Sequence, residues 1–206
     1  MDLSLTWEQQ QLADTLDKLV AAHKGDWRAL WRQFAELGVT GLTLAPDIGG
    51  AGGGGTEAMA AMQALGRGNA AVPYIDCAIL GAGLLDTAGS PEQRQAHLPG
   101  VAEGKKFIVF AHAEREGRFD PAKTATLAQR KGASYTLDGH KDVAMWGDAA
   151  DLLIVSARLG EETGLFLVDP KAPGVRLRGY PTVDGHRAAE IALAGVVGEI
   201  LPGGSQ

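Results

Sequence analysis

Around Lys106 the chain changes texture, and no single type of fold accommodates both sides of that change. Before it, apolar residues recur every three or four positions, as on one face of a helix. After it, they come in runs of four or five separated by turn residues, as in strands. The chain must therefore build a helical part and a β part in succession, with the boundary near Gly104.

The helical half carries its own punctuation. Thr6 and Gln9 have the spacing of a capping box, and Leu5, Leu12, Leu16 and Leu19 follow at near-helical spacing. Asp26 stands where it can cap a second helix, whose stripe is Trp27, Leu30, Trp31, Phe34 and Leu37, with Gly38 as its stop. Burying each of those side chains contributes roughly 1.5–3 kcal/mol, so the two tryptophans read as core. Thr56 is the expected cap of a third helix through Met59, Met62 and Leu65, and a fourth helical stretch lies near Ala78–Leu85. Ser90-Pro91-Glu92-Gln93 starts a fifth, which Leu98-Pro99-Gly100 should end early.

The second half reads as short strands: Phe107–Ala111, Leu152–Val155, Leu165–Val168, Val175–Leu177 and Glu190–Leu193. Ser134–Leu137 followed by Asp138-Gly139 has the form of a tight hairpin. The expected class is α+β: an N-terminal α-helical bundle domain over residues 1–105, then an antiparallel β-barrel or sandwich domain over residues 106–206. The last stretch, Gly198–Gln206, reads as a connector out of the sheet, as in a chain truncated before a further domain.

Composition narrows the function. Hydrophobic residues make up 45% and charged residues 21%, an ordinary globular balance. The net charge is −6 with no Lys/Arg cluster, which argues against nucleic-acid binding. Cys77 is the single cysteine, so neither an intrachain disulfide nor a cysteine metal cluster can form, and a cytoplasmic location is expected. No signal peptide and no membrane-spanning run is found.

Isolated motifs give little. Gly50–Gly55 formally matches G-x-G-x-x-G, but it follows Pro46-Asp47 and lacks the βαβ setting, so it reads as a tight surface connection. His112, Glu114, Glu116 and Asp120 lie close in sequence without a second cluster of ligands, and Glu114-Arg115-Glu116 reads as a solvated charge run. Ser90, Ser134 and Ser156 have no nucleophile-elbow context.

The order of the pieces says more. Leu37-Gly38-Val39-Thr40-Gly41-Leu42 with Pro46-Asp47-Ile48-Gly49-Gly50-Ala51-Gly52, then Leu65-Gly66-Arg67, then Gln93 with Leu98-Pro99, then Gly139-His140-Lys141 with Ala150-Asp151, resembles the acyl-CoA dehydrogenases over nearly the whole chain. The resemblance implies the family's N-terminal helical and middle β domains. It implies FAD as cofactor, an acyl-CoA substrate of fatty acid metabolism, an electron-transfer flavoprotein as acceptor and a homo- or hetero-oligomer. The family's reaction removes an α-proton with a glutamate of the C-terminal domain while the β-hydride moves to flavin. Flavin contacts are implied at Phe110, His112, Ala113, Phe119, Val143 and Met145. Four of these depart from the family's pattern: Ala113 and Met145 replace threonines, Phe119 a serine and Val143 an aromatic residue. Three functions are compatible with this: a divergent dehydrogenase, a catalytically weak partner subunit, or a binding module on the same scaffold.

Overall fold

The computed structural model describes residues 5–117, 120, 123–132 and 134–204. Five α-helices come first: α1 (Trp7–Ala22), α2 (Trp27–Glu36), α3 (Gly55–Arg67), α4 (Ala82–Ala88) and α5 (Pro91–Ala102). Seven strands follow: β1 (Ile108–Ala111), β2 (Leu127–Lys131), β3 (Ser134–Met145), β4 (Leu152–Leu159), β5 (Glu162–Val168), β6 (Val175–Pro181) and β7 (Arg187–Ile200).

Both capping boxes form as the sequence implies. Thr6 and Gln9 exchange side-chain and main-chain hydrogen bonds at the start of α1, and Ser90 and Gln93 do the same at α5. Other local expectations yield to packing. Asp26 occupies the cap position of α2 but makes no capping hydrogen bond. The third helix begins one residue before Thr56, and Glu57 reaches back to the Gly54 N–H at 2.7 Å. The fourth helical stretch begins as π-helical turns over Tyr74–Gly81 before tightening into α4. Helix α5 does not stop at Pro99 but runs through it to Ala102, because Leu98, Val101 and Ala102 are all buried in the core. That burial outweighs the local cost of an interior proline.

The glycine-rich stretch behaves as a tight connection. The N–H groups of Gly50, Ala51, Gly52 and Gly53 donate to the carbonyls of Ala45, Gly41, Leu44 and Leu42. A Cβ on Gly50 would lie 2.0 Å from the Leu44 carbonyl oxygen. With those amides already engaged, the loop has no cradle to offer a phosphate.

The strands close into a barrel. β4 pairs β2, β2 pairs β3, β3 pairs β7, β7 pairs β5, and β5 returns to β4, while β1 and β6 add to β4 and β7. Most pairings are antiparallel, as expected; the β1–β4 pairing and the single β2–β4 register pair, Leu127↔Arg158, are parallel. Asp138-Gly139 is not a hairpin turn. β3 passes straight through it with a register shift against β7, and a Cβ on Gly139 would meet Thr126 Cα at 2.6 Å. The Asp138 carboxylate instead accepts from the Gly195 N–H at 2.8 Å. Nor does the chain leave the sheet at Gly198: β7 continues to Ile200, pairing with Phe166 and Leu167, and Leu201 is fully buried.

Helices and barrel share one core. Ile108, Leu152, Ile154, Leu167 and Leu201 pack into the same apolar cluster as Leu30, Trp31 and Phe34 of α2. Trp27 lies edge-on to Phe107 and to Trp146. Gln93 donates from α5 to the Ile200 carbonyl at 3.0 Å and to Glu199 at 2.5 Å.

Candidate active site

The site grows from the end of β1, where the chain leaves the shared core and meets β3 and β4. Strand alternation puts Ala111 in the barrel core and leaves Phe110 and His112 on the opposite side, both half-buried. Their rings stack, with centroids 5.3 Å apart and planes inclined by 16°. Both line a cavity of about 600 Å³ between α4 and the barrel, walled also by Leu84, Ala88, Ser156 and Leu165.

Behind His112 lies a buried polar chain. Lys141, from β3, has no solvent exposure. Its three N–H groups are shared among four acceptors: Glu114 at 2.5 Å, Ser156 Oγ at 3.1 Å and, at 3.3 Å each, Thr124 Oγ1 and the His112 carbonyl. Ser156 Oγ in turn lies 2.9 Å from His112 Nδ1. Glu114 also accepts from the Thr124 and Thr126 hydroxyls and from the main-chain N–H groups of Ala125 and Thr126. A charged pair out of water is costly unless hydrogen bonds serve both groups; here five donors reach the Glu114 carboxylate, and the Lys141 protons all have acceptors.

The electrostatics follow. Burial pushes the Glu114 carboxyl up, but hydrogen bonds from Lys141, Thr126, Thr124 and Ala125 outweigh it and hold the pKa at about 2. Burial lowers the Lys141 pKa, and the Glu114 carboxylate opposes that shift. Burial, and then the positive charge of Lys141, lower the His112 pKa, which favours a neutral imidazole.

The six residues expected to contact flavin fall into two groups. Phe110 and His112 face the cavity. Ala113 and Val143 face each other across an isolated antiparallel bridge, with Met145 two residues further along β3. Val143 is 44% exposed, an unusual amount for a valine in a strand, whereas Met145 is half-buried. Phe119 lies outside the described residues.

The reading of Glu114 as part of a solvated charge run is overturned, since it is 5% exposed and paired. Ser156, set aside for want of a nucleophile motif, is the hydroxyl that joins His112 to Lys141. The available signal was a serine following the wholly apolar run Leu152–Val155, on a strand buried on both faces. Among the described residues no group of His, Cys, Asp or Glu is placed to hold a metal ion.

An apolar, half-exposed bridge of Ala113 and Val143 with Met145 beside it fits the face of a planar aromatic cofactor. It brings no side-chain donor for the polar edge of such a group, so that edge would fall to main-chain groups.

Comparison with known proteins identifies the fold and its family. The family models for the acyl-CoA dehydrogenase N-terminal and middle domains match residues 6–105 and 109–196. The acyl-CoA dehydrogenase FadE27 of Mycobacterium tuberculosis is 29% identical over 95% of this chain and 54% of its own length. The ChsE4–ChsE5 complex of the same organism has a chain that is 26% identical, with a TM-score of 0.86 over 98% of this chain and 59% of its own. A glutaryl-CoA dehydrogenase from Mycobacterium smegmatis, solved with FADH2, shares the fold at 24% identity and a TM-score of 0.89, over 97% of this chain and 56% of its own. The chain thus spans about half the length of the relatives it matches. In its two domains, their order and their fold, it belongs to the acyl-CoA dehydrogenase family.

Proposed function

We propose that this chain forms the flavin- and thioester-binding part of an acyl-CoA dehydrogenase, one that oxidises the α,β-bond of an acyl-CoA. The observation that carries the reading is the join between the two domains: Phe110 and His112 line a 600 Å³ cavity, while the Ala113–Val143 bridge beside them leaves an apolar surface uncovered.

Ala113, Val143 and Met145 would hold FAD by van der Waals contact, and main-chain groups would meet its polar edge. A bound flavin supplies the hydride acceptor for such an oxidation. This chain's own residues do the positioning. The Lys141–Glu114 pair ties the segment after β1 to β3, and through Ser156 to β4, so the surface beneath the cofactor is fixed before anything binds. The apolar wall of Leu84, Phe110 and Leu165 excludes water from an acyl chain. In this reading the α-proton is taken by a glutamate outside the two matched domains, and electrons pass to an electron-transfer flavoprotein. The protein works in the cytoplasm as a homo- or hetero-oligomer, with residues 1–105 and 106–206 as its two domains.

A second reading is favoured by a specific observation: Ala113, Val143 and Met145 provide no side-chain hydrogen bond at the cofactor surface. A subunit that shares its flavin with, or leaves the chemistry to, an unlike partner would tolerate that loss, and the ChsE4–ChsE5 structure is a complex of two named chains. Purified chain, alone and with the product of the neighbouring gene, should be titrated with FAD and assayed for acyl-CoA-dependent reduction of a dye. Stoichiometric flavin bound by the chain alone supports the first reading. Flavin bound only in the complex supports the second, and no flavin under either condition refutes both.

A further inference from the structure

We propose that His112 is a fixed hydrogen-bond donor in the cavity, selecting a ligand that carries a neutral acceptor oxygen, such as a ketone or amide carbonyl. The inference deepens the thioester-binding reading and rests on it.

The argument is one of proton accounting. Ser156 is 1% exposed, and its hydroxyl has two partners among the described residues: Lys141 Nζ at 3.1 Å and His112 Nδ1 at 2.9 Å. Lysine has only protons to give, so Ser156 Oγ accepts there. If His112 Nδ1 also carried a proton, Ser156 would accept twice, and its own buried O–H would be left without an acceptor. Such an orphaned group is costly. The hydroxyl therefore donates to Nδ1, and the proton of the neutral imidazole sits on Nε2. Lys141 cannot easily change its side of the bargain, because Glu114 holds it at 2.5 Å. The ring is oriented by stacking on Phe110.

Among the described residues Nε2 has no protein partner, and His112 lines the cavity. An N–H at the edge of a largely apolar space is satisfied only by water or by an acceptor on the ligand. The charge nearby limits which acceptor. Glu161 stands at the exposed rim, so a carboxylate would meet a like charge, whereas a neutral carbonyl would not. The oxygen can belong to the acyl group or to the amides of the pantetheine arm.

The test has a ligand-free arm and a binding arm. In 15N-labelled protein, the imidazole of His112 should show a proton on Nε2 and a bare Nδ1 at neutral pH. The opposite tautomer overturns the proposal. Binding is then measured for CoA, octanoyl-CoA and a keto-octanoyl-CoA series, with wild type, His112→Phe and His112→Gln. Phenylalanine keeps the stack on Phe110 and removes the donor, and glutamine can restore one. If the oxygen is on the acyl group, wild type prefers a keto ligand by about 2- to 12-fold, the size of one neutral hydrogen bond. His112→Phe loses that preference and His112→Gln regains part of it. If the oxygen is on the pantetheine arm, His112→Phe weakens CoA and every thioester by the same factor. Ligands that bind wild type and His112→Phe equally overturn the inference while leaving the thioester reading standing. Wild type that binds no CoA compound overturns the thioester reading and this inference with it.

Discussion

Replacing Lys141 with methionine removes one charge from the interior and leaves the other. The side chain is fully buried, so methionine fills most of its volume and the effect is electrostatic. Breaking a buried pair from one side costs about 3–5 kcal/mol. The lower part of that range applies here, because Thr124, Thr126 and the Ala125 and Thr126 N–H groups still serve Glu114. The lowered Glu114 pKa points the same way for the hydrogen-bond network as a whole. A carboxyl whose pKa falls from 4.5 to about 2 on folding contributes about 3 kcal/mol at neutral pH. Since the folded pKa is the depressed one, this stability is fully present above pH 4.5 and is lost as pH falls toward 2. Lys141→Met should therefore lower stability at pH 7 by about 3 kcal/mol and Tm by roughly 6–12 °C. Its stability should also fall less steeply than that of wild type between pH 5 and pH 2.5, because Glu114 without its cation keeps only the part of its depressed pKa that Thr124, Thr126 and Ala125 supply. Urea unfolding followed by tryptophan fluorescence, which includes the buried Trp31 and Trp146, measures both quantities. Lys105→Met, which removes an exposed ion pair with Glu103, is the control and should change nothing. If Lys141→Met matches wild type at pH 7, or keeps the wild-type acid slope, the assignment of the pair as a main electrostatic support of the barrel is wrong.

Four further outcomes can be checked. Gly50→Ala drives a methyl into the Leu44 carbonyl and should cost about 3 kcal/mol or more by urea titration. Gly55→Ala meets nothing within 4 Å and should gain a few tenths to about 1 kcal/mol. Pro99→Ala restores an N–H inside α5 and should raise stability by about 1–3 kcal/mol, seen as a higher urea midpoint. Ala113→Thr and Met145→Thr each add a hydroxyl beside the Ala113–Val143 bridge and should tighten FAD binding by about 2- to 12-fold in a fluorescence titration.

What could be read from the sequence was what neighbours within a few residues decide. The capping boxes at Thr6 and Ser90 needed only a hydroxyl and a glutamine three residues on. The αL glycine at Gly38 ended α2 for a similarly local reason. Where a distant strand or helix had the deciding contact, the local signal misled. Asp138-Gly139 has turn chemistry, but pairing with β7 and the approach of Thr126 made it a bulge. Pro99 has stop chemistry, but buried Val101 and Ala102 carried α5 past it. At the site, the positions proposed to face flavin came from the order of family segments, and the strand pairing brings Ala113 to Val143. The polar chain could not be seen that way: Glu114 and Lys141 are 27 residues apart, and neither sequence neighbourhood says that it is buried.

The core that α2 and α5 share with β1, β4, β5 and Leu201 makes the two halves one cooperative unit. Neither can shed its partner without baring Ile108, Ile154, Leu167 and Leu201 to water, so hydrogen exchange at β1 and at the inner helices should proceed through the same global opening. The cavity lined by Leu84 and His112 then has walls from both halves that cannot part independently. Parting those walls to admit a ligand would mean breaking the core the two halves share.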